Sequence, residues 1–175
     1  MGRITREDLV KKGLAVILAG SDSDKEHIAK ITSELEKFGI PYDVRIASAH
    51  KQPEKVVAIV RRYDQINIPS LVYIAVAGMT DALSGMASYH SVRPVISCPP
   101  DSTPNPTCLT NPPGSSNATI YNPKNTARFI AQMFSYAHYE YADAIRKQNN
   151  SKETALEEAD KNSRADMEIF EGGRG

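Results

Sequence analysis

Three short segments of the chain carry side chains able to do chemistry. Gly20-Ser21-Asp22-Ser23-Asp24 sets hydroxyls and carboxylates just ahead of a helical stretch. Free backbone N–H groups and the positive end of the helix dipole meet there, so a phosphate or a ribose fits; a plain helix cap is the simpler use of the same residue types. Ser48-Ala49-His50-Lys51 brings an imidazole and an ammonium side by side. Histidine titrates near neutrality and serves as acid or base, and lysine can hold a phosphate or carboxylate; the alternative is a surface histidine beside a solvated lysine. Gly78-Met79-Thr80-Asp81-Ala82-Leu83-Ser84-Gly85 lets backbone approach a ligand, with a helix opening at Gly78, or simply makes a tight strand-to-helix turn. Cys98-Pro99-Pro100 reads as a rigid turn, since a cysteine nucleophile would want a base partner that the sequence does not identify. His27, His90 and His138 fall in helical stretches and are expected to pack or to be solvated. No second histidine or aspartate stands at ligand spacing around His50, so no metal site is expected. The glycine-rich signatures of triphosphate and dinucleotide sites are absent as well.

The elements that must position these segments follow from periodicity. Leu14–Ala19 is apolar throughout and predicts a strand covered on both faces. A helix follows over residues 25–38, with Ile28, Ile31, Leu35 and Phe38 on one face and Gly39 closing it. The unit repeats as a strand over 42–47 and a helix opened by Pro53 that carries Val56, Ile59, Val60 and Tyr63. Strands over 71–77 and 94–97 flank a short helix through Ser84, Gly85 and Met86. Six prolines between Cys98 and Gly114 predict a long irregular loop, a length usually functional or mobile. A last strand over 118–121 leads to Asn122-Pro123, which caps a helix running through Ala127, Ile130 and Phe134 to about Lys147. Charge is concentrated from Asp143 onward and predicts a solvated helix or arm, so the expected division is a domain over 1–148 and a polar C-terminal arm over 149–175. Alternating strands and helices predict an α/β fold, a three-layer α/β/α sandwich with a mostly parallel, flavodoxin-like sheet. Ligands of such sheets sit at the carboxyl ends of the strands, which gathers the three turns and the proline-rich loop into one expected site.

Composition narrows the classes. The chain has 175 residues with 21 basic and 21 acidic side chains, so a broad nucleic-acid or anionic-membrane surface has no support. The apolar runs have strand length and none approaches a membrane span. The basic start is interrupted by Glu7 and Asp8, unlike a signal peptide, and Met1-Gly2 followed by Arg6 is a poor acylation context; the cytoplasm is the expected compartment. Cys98 and Cys108 fit neither a disulfide framework nor a zinc site and are expected to be reduced packing residues.

Four segments together resemble the PurE family of purine biosynthesis, over roughly residues 14–135. Gly20-Ser21-Asp22-Ser23-Asp24 is similar to the family's Gly-Ser-x-Ser-Asp, and Ser48-Ala49-His50-Lys51 carries Lys as class II members do where class I has Arg. Ile74-Ala75-Val76-Ala77-Gly78 followed by Ala82-Leu83-Ser84-Gly85, and Pro94-Val95-Ile96-Ser97-Cys98-Pro99-Pro100, also resemble class II, the aminoimidazole ribonucleotide (AIR) carboxylases. The resemblance implies a homo-octamer with sites at subunit contacts and reversible carboxylation of AIR by CO2, with no ATP, biotin or metal. Carried over by position, Ser21, Asp24, Ser48, Lys51, Gly78 and Thr80 would bind the nucleotide and His50 would move the proton. The chain departs from the family at Met79-Thr80-Asp81, where class II has Arg-Ser-Asn, and at Thr110, which stands for another arginine. A cation is lost there and a carboxylate is gained beside a phosphorylated substrate. The rival readings are the class I mutase reaction on the carbamate isomer and a divergent member acting on, or merely binding, another nucleotide.

Overall fold

In the computed structural model, which describes residues 5–101 and 105–164, the chain runs α1 (Arg6–Lys12), β1 (Leu14–Ala19), α2 (Lys25–Phe38), β2 (Tyr42–Ile46), α3 (Pro53–Asp64) and β3 (Leu71–Val76). It continues through α4 (Leu83–His90), β4 (Val95–Ser97), β5 (Ala118–Thr119), α5 (Pro123–Phe134) and α6 (Tyr139–Arg164). The five strands form one all-parallel sheet in the order β2-β1-β3-β4-β5. β1 is interior, in register with β2 from Ala15 opposite Tyr42 to Ala19 opposite Ile46, and with β3 from Leu14 opposite Leu71 to Ala19 opposite Val76.

Strand alternation divides the core. Ala15, Ile17 and Ala19 of β1, with Val72, Ile74 and Val76 of β3, pack on Ile31 and Leu35 of α2 and on Ile130 and Phe134 of α5. The intervening Val16, Leu18, Tyr73 and Ala75 pack on Val56, Ile59 and Val60 of α3 and Leu83 and Ala87 of α4. Every residue of β1 and β3 is buried, which is why these runs are apolar without alternation. Each fully buried Leu or Ile is worth about 1.5–3 kcal/mol, so the two central strands anchor the three layers. The α/β/α sandwich with a parallel, flavodoxin-like strand order is therefore the observed architecture.

Several boundaries differ from the expected ones. α1 was not expected; Thr5 caps it in a reciprocal box with Asp8, a Thr-x-x-Asp signal that is legible in the sequence. The single helix expected from Pro123 to about Lys147 is two. The N–H groups of Ala137 and His138 both reach the Phe134 carbonyl, at 3.0 and 2.9 Å, and the chain turns there. His138 and Tyr141 are then buried against Phe134, and the Tyr141 hydroxyl donates to the Lys12 carbonyl at 2.7 Å. No Gly or Pro marks that turn; tertiary burial makes it. The third turn does not open a helix at Gly78, because α4 begins at Leu83. The proline-rich loop holds a short 3-10 turn, Pro106–Leu109, capped by Asn105. The expected strand over 118–121 shrinks to two residues. α6 runs unbroken past residue 148 and is exposed from Asn150 to Ser163; the remainder of the expected arm, like the Met1-Gly2 start, lies outside the described residues. No helix among the described residues is long and apolar enough to cross a membrane.

Candidate active site

β2 and β3 lie on opposite sides of β1, so the strand order switches there: the connection leaving the carboxyl end of β1 leads to α2 on one face, and those leaving β2 and β3 lead to α3 and α4 on the other. The crevice between them is where a doubly wound sheet takes its ligands. A cavity of about 450 Å³ opens at that point, lined by Gly20, Ser21 and Asp24 of the first turn, residues 48–51 of the second, and Ala77, Gly78, Met79, Thr80, Ala82 and Leu83 of the third. All seven residues singled out from the sequence, Ser21, Asp24, Ser48, His50, Lys51, Gly78 and Thr80, line it.

In the first turn the Ser21 hydroxyl accepts from the Ser23 N–H at 3.1 Å and so caps the 3-10 turn at Asp22–Asp24. Asp24 occupies the cap position of α2 yet makes no side-chain cap bond; its half-buried carboxylate lines the cavity and accepts only a long 3.4 Å bond from the Ser23 hydroxyl. The capping explanation thus accounts for Ser21 and not for Asp24. In the second turn the Ser48 hydroxyl accepts from the Lys51 N–H at 3.3 Å, the Ser48 carbonyl accepts from the Gln52 N–H at 2.7 Å, and Ala49 is buried beneath. These bonds present His50 and Lys51 outward, exposed, and neither side chain is engaged by another described residue.

The third turn is the strained one. Met79 has a φ of 59°, and its side chain is 87% exposed at the cavity. For a residue with a Cβ this left-handed conformation costs about 1–2 kcal/mol, so it needs external support. Its carbonyl accepts from Asn105 Nδ2 at 2.6 Å and lies 3.1 Å from the Thr107 hydroxyl. Gly78 is required by close approach: a Cβ there would lie 3.0 Å from Asp101 Oδ1. At Gly85 a Cβ would meet Asn111 Oδ1 at 2.6 Å. Both glycines thus admit side chains of the proline-rich loop.

Asp81 does not bring its carboxylate to the cavity. It is buried, accepting from the Ser84 N–H at 2.9 Å and the Ser97 hydroxyl at 2.8 Å, and so ties the start of α4 to β4. Of the three departures in this turn, Met79 and Thr80 line the cavity and Asp81 does not, so only the loss of the cation at Met79 changes the charge there. Thr110 is exposed, bonds the Pro106 carbonyl at 3.3 Å and does not line the cavity either.

Cys98 has a histidine neighbour that sequence reasoning missed. His27 Nε2 lies 3.1 Å from the Cys98 carbonyl oxygen and 3.4 Å from Sγ. The pair does not make a nucleophile, because burial pushes the Cys98 thiol up to about 11, only partly offset by the Thr126 hydroxyl. Burial also holds His27 below the usual imidazole range, against the opposing pull of its bond to the Cys98 carbonyl. Cys98 and Cys108 are both free and buried, in keeping with packing residues. Among the described residues no cluster of three or more His, Cys, Asp or Glu side chains is placed to hold a metal ion.

Fold and cavity together define a doubly wound α/β protein with a nucleotide-sized site at its switch point, lined by both polar and apolar residues. Comparison with known proteins identifies the kind. The sequence profile of the AIR carboxylase family matches residues 14–155. Phosphoribosylaminoimidazole carboxylase of Treponema denticola is 40% identical over 152 residues, which span 84% of this chain and 95% of that one. The human bifunctional phosphoribosylaminoimidazole carboxylase/succinocarboxamide synthetase is 36% identical over 155 residues, but this chain spans only 36% of its length. The crystal structure of Treponema denticola PurE superposes with a TM-score of 0.79 at 36% identity, covering 85% of this chain and 97% of that one. The chain belongs to the AIR carboxylase family.

Proposed function

We propose that the protein carboxylates AIR with CO2 in this cavity, giving carboxyaminoimidazole ribonucleotide without ATP, as a class II member of its family. The observation that carries the reading is the convergence of three separate turns on one cavity, with an unengaged imidazole at its edge. The enamine-like ring carbon of AIR is already nucleophilic. Its electron pair forms the new bond to CO2, one C=O π bond opens to the carboxylate, and the proton left on the ring carbon passes to His50, restoring the aromatic ring. Ser21, Asp24, Ser48, Lys51, Gly78 and Thr80 hold the nucleotide, so the protein's part is to orient the two reactants, shed water and move one proton. Lys51 and the Ala82-Leu83-Ser84-Gly85 turn favour CO2 over the carbamate isomer as carbon source. The working unit is a cytoplasmic homo-octamer in which residues 1–148 form the catalytic domain and 149–175 an arm.

Met79 favours a second reading, a different nucleotide substrate, because it puts an apolar side chain at the cavity where class II has a cation. One assay separates the readings. The purified protein is expected to carboxylate AIR with dissolved CO2 and no ATP, and not to convert the carbamate isomer directly. Direct conversion with retention of the isomer's carboxylate label would establish the mutase reaction instead. If neither compound turns over while Met79→Arg gains activity on AIR, the lost cation is the cause and the substrate differs.

A further inference from the structure

The third turn is fastened from outside the cavity by a loop residue. Asn105 is 5% exposed and does not line the cavity. Its Oδ1 accepts from the Thr107 N–H at 3.1 Å and the Thr107 hydroxyl at 2.5 Å, and this half of the amide caps the 3-10 turn at Pro106–Leu109. Capping does not explain the other half. Nδ2 donates one proton to the Met79 carbonyl at 2.6 Å and the other to Asp101 Oδ2 at 2.9 Å, and Asp101 is the residue whose Oδ1 crowds Gly78. Both donors and both acceptor sites of one buried amide are therefore used. Asn105 is itself held: its N–H donates to the Tyr121 hydroxyl at 2.7 Å, and that hydroxyl donates to the Asn105 carbonyl at 3.1 Å. Thr107 completes the clasp by accepting from the Asp81 N–H at 2.9 Å. A chain of polar contacts thus runs from Tyr121, just after β5, through Asn105 to the peptide of Met79, the non-glycine residue with positive φ among the described residues.

We propose that Asn105 is a positioning residue for nucleotide binding: its amide holds the Met79 peptide in the left-handed conformation and so sets the places of Gly78 and Thr80 in the cavity. The proposal rests on the reading of the cavity as an AIR site. Since the clasp acts on the third turn and His50 sits on the second, it governs substrate binding and leaves the proton transfer alone.

Asn105→Asp tests it, because the variant keeps the shape and the Oδ1 cap while turning a carboxylate oxygen toward the Met79 carbonyl and the Asp101 carboxylate. The expected result is a KM for AIR raised about tenfold, the scale of one lost buried hydrogen bond, with kcat changed less than about threefold. Hydrogen exchange at the amides of residues 79–81 is expected to speed up, with the oligomer intact. The double variant Asn105→Asp/Asp101→Asn restores a 101–105 bond of reversed polarity and leaves the Met79 carbonyl without its amide donor, with only the longer 3.1 Å contact to the Thr107 hydroxyl, so its KM is expected to stay raised. Recovery of wild-type KM in the double variant would assign the effect to loop integrity and overturn the proposal, as would a fall in kcat at unchanged KM. Should Asn105→Asp fail to fold, Thr107→Val weakens the same clasp and is expected to raise KM by a smaller factor; an unchanged KM there overturns the proposal. If the wild-type protein turns over no AIR, the functional reading fails on its own, and exchange at residues 79–81 decides the clasp: unchanged rates in the variant refute it.

Discussion

At the scale of single residues, His50 owes its position to the backbone of its turn. Ser48 bonds the N–H groups of Lys51 and Gln52, and buried Ala49 pins the turn from below, while the imidazole itself touches no described partner. Replacing it therefore removes a proton carrier without unseating its neighbours. His50→Asn is expected to fold normally and to bind AIR with nearly unchanged affinity, while turnover falls by ~10²-fold or more, the range for loss of an acid-base group. Calorimetric titration with AIR beside a turnover assay checks both halves; retained turnover would move the proton transfer to another group. Asp81 makes the complementary point. Its place in the sequence, two residues past Met79, suggests a charge beside the substrate, yet its oxygens are consumed by Ser84 and Ser97. What decides a carboxylate's role here is which way the turn folds, and that depends on a residue 16 positions away in β4.

At the scale of elements, the His27 to Cys98 contact ties α2 to the chain leaving β4 across 71 positions. Burial lowers the pKa of His27 in the folded state, so between that lowered value and the ordinary imidazole value near 6.5 the unfolded chain binds more protons than the folded one. Stability contributed by neutral His27 is therefore full above about pH 6.5 and is lost as the pH falls through that window. Melting temperatures followed from pH 7.5 to about pH 5 should decline more steeply for the wild type than for His27→Gln, which can donate to the same carbonyl but does not titrate. Equal slopes would show that His27 is not linked to folding. The contact was invisible in the sequence because two residues so far apart carry no shared pattern. The strands and the three turns were legible for the opposite reason: continuous apolar runs mark β1 and β3, and each candidate segment directly follows a strand, so the parallel topology alone brings them to one edge. The break between α5 and α6 was not legible, since Phe134, His138 and Tyr141 keep helical spacing and only their mutual burial shows the turn. Asn105 did carry a local signal, the Asn-Pro pair that also opens α5 at Asn122-Pro123, but the reach of its amide to Met79 is a long-range fact.

At the scale of the whole molecule, a single chain leaves two features without a use. α6 is about 39 Å long at helical rise, and its stretch from Asn150 to Ser163 is exposed throughout. A polar helix of that length gains little stability from propensity alone and in folded proteins owes it mostly to packing. Meanwhile a groove of about 910 Å³ runs past β4 and β5, lined in part by Val92, Leu109 and Phe129, which are 87%, 61% and 37% exposed. Apolar side chains clustered on one surface mark an interface more often than a free face. A second copy of the chain can satisfy both features within a closed ring, and it would also narrow a cavity whose His50, Lys51 and Met79 now stand open to solvent. Light scattering is expected to report the octamer proposed above, eight times the 19.2 kDa of one chain. Val92→Glu, placed in the groove and away from the cavity, is expected to lower that mass and to lower turnover with it, whereas the isolated fold should persist because both core clusters lie within one chain. A monomer at micromolar concentration that carboxylates AIR at the full rate would refute the assembly and return the whole of the chemistry to the residues of a single cavity.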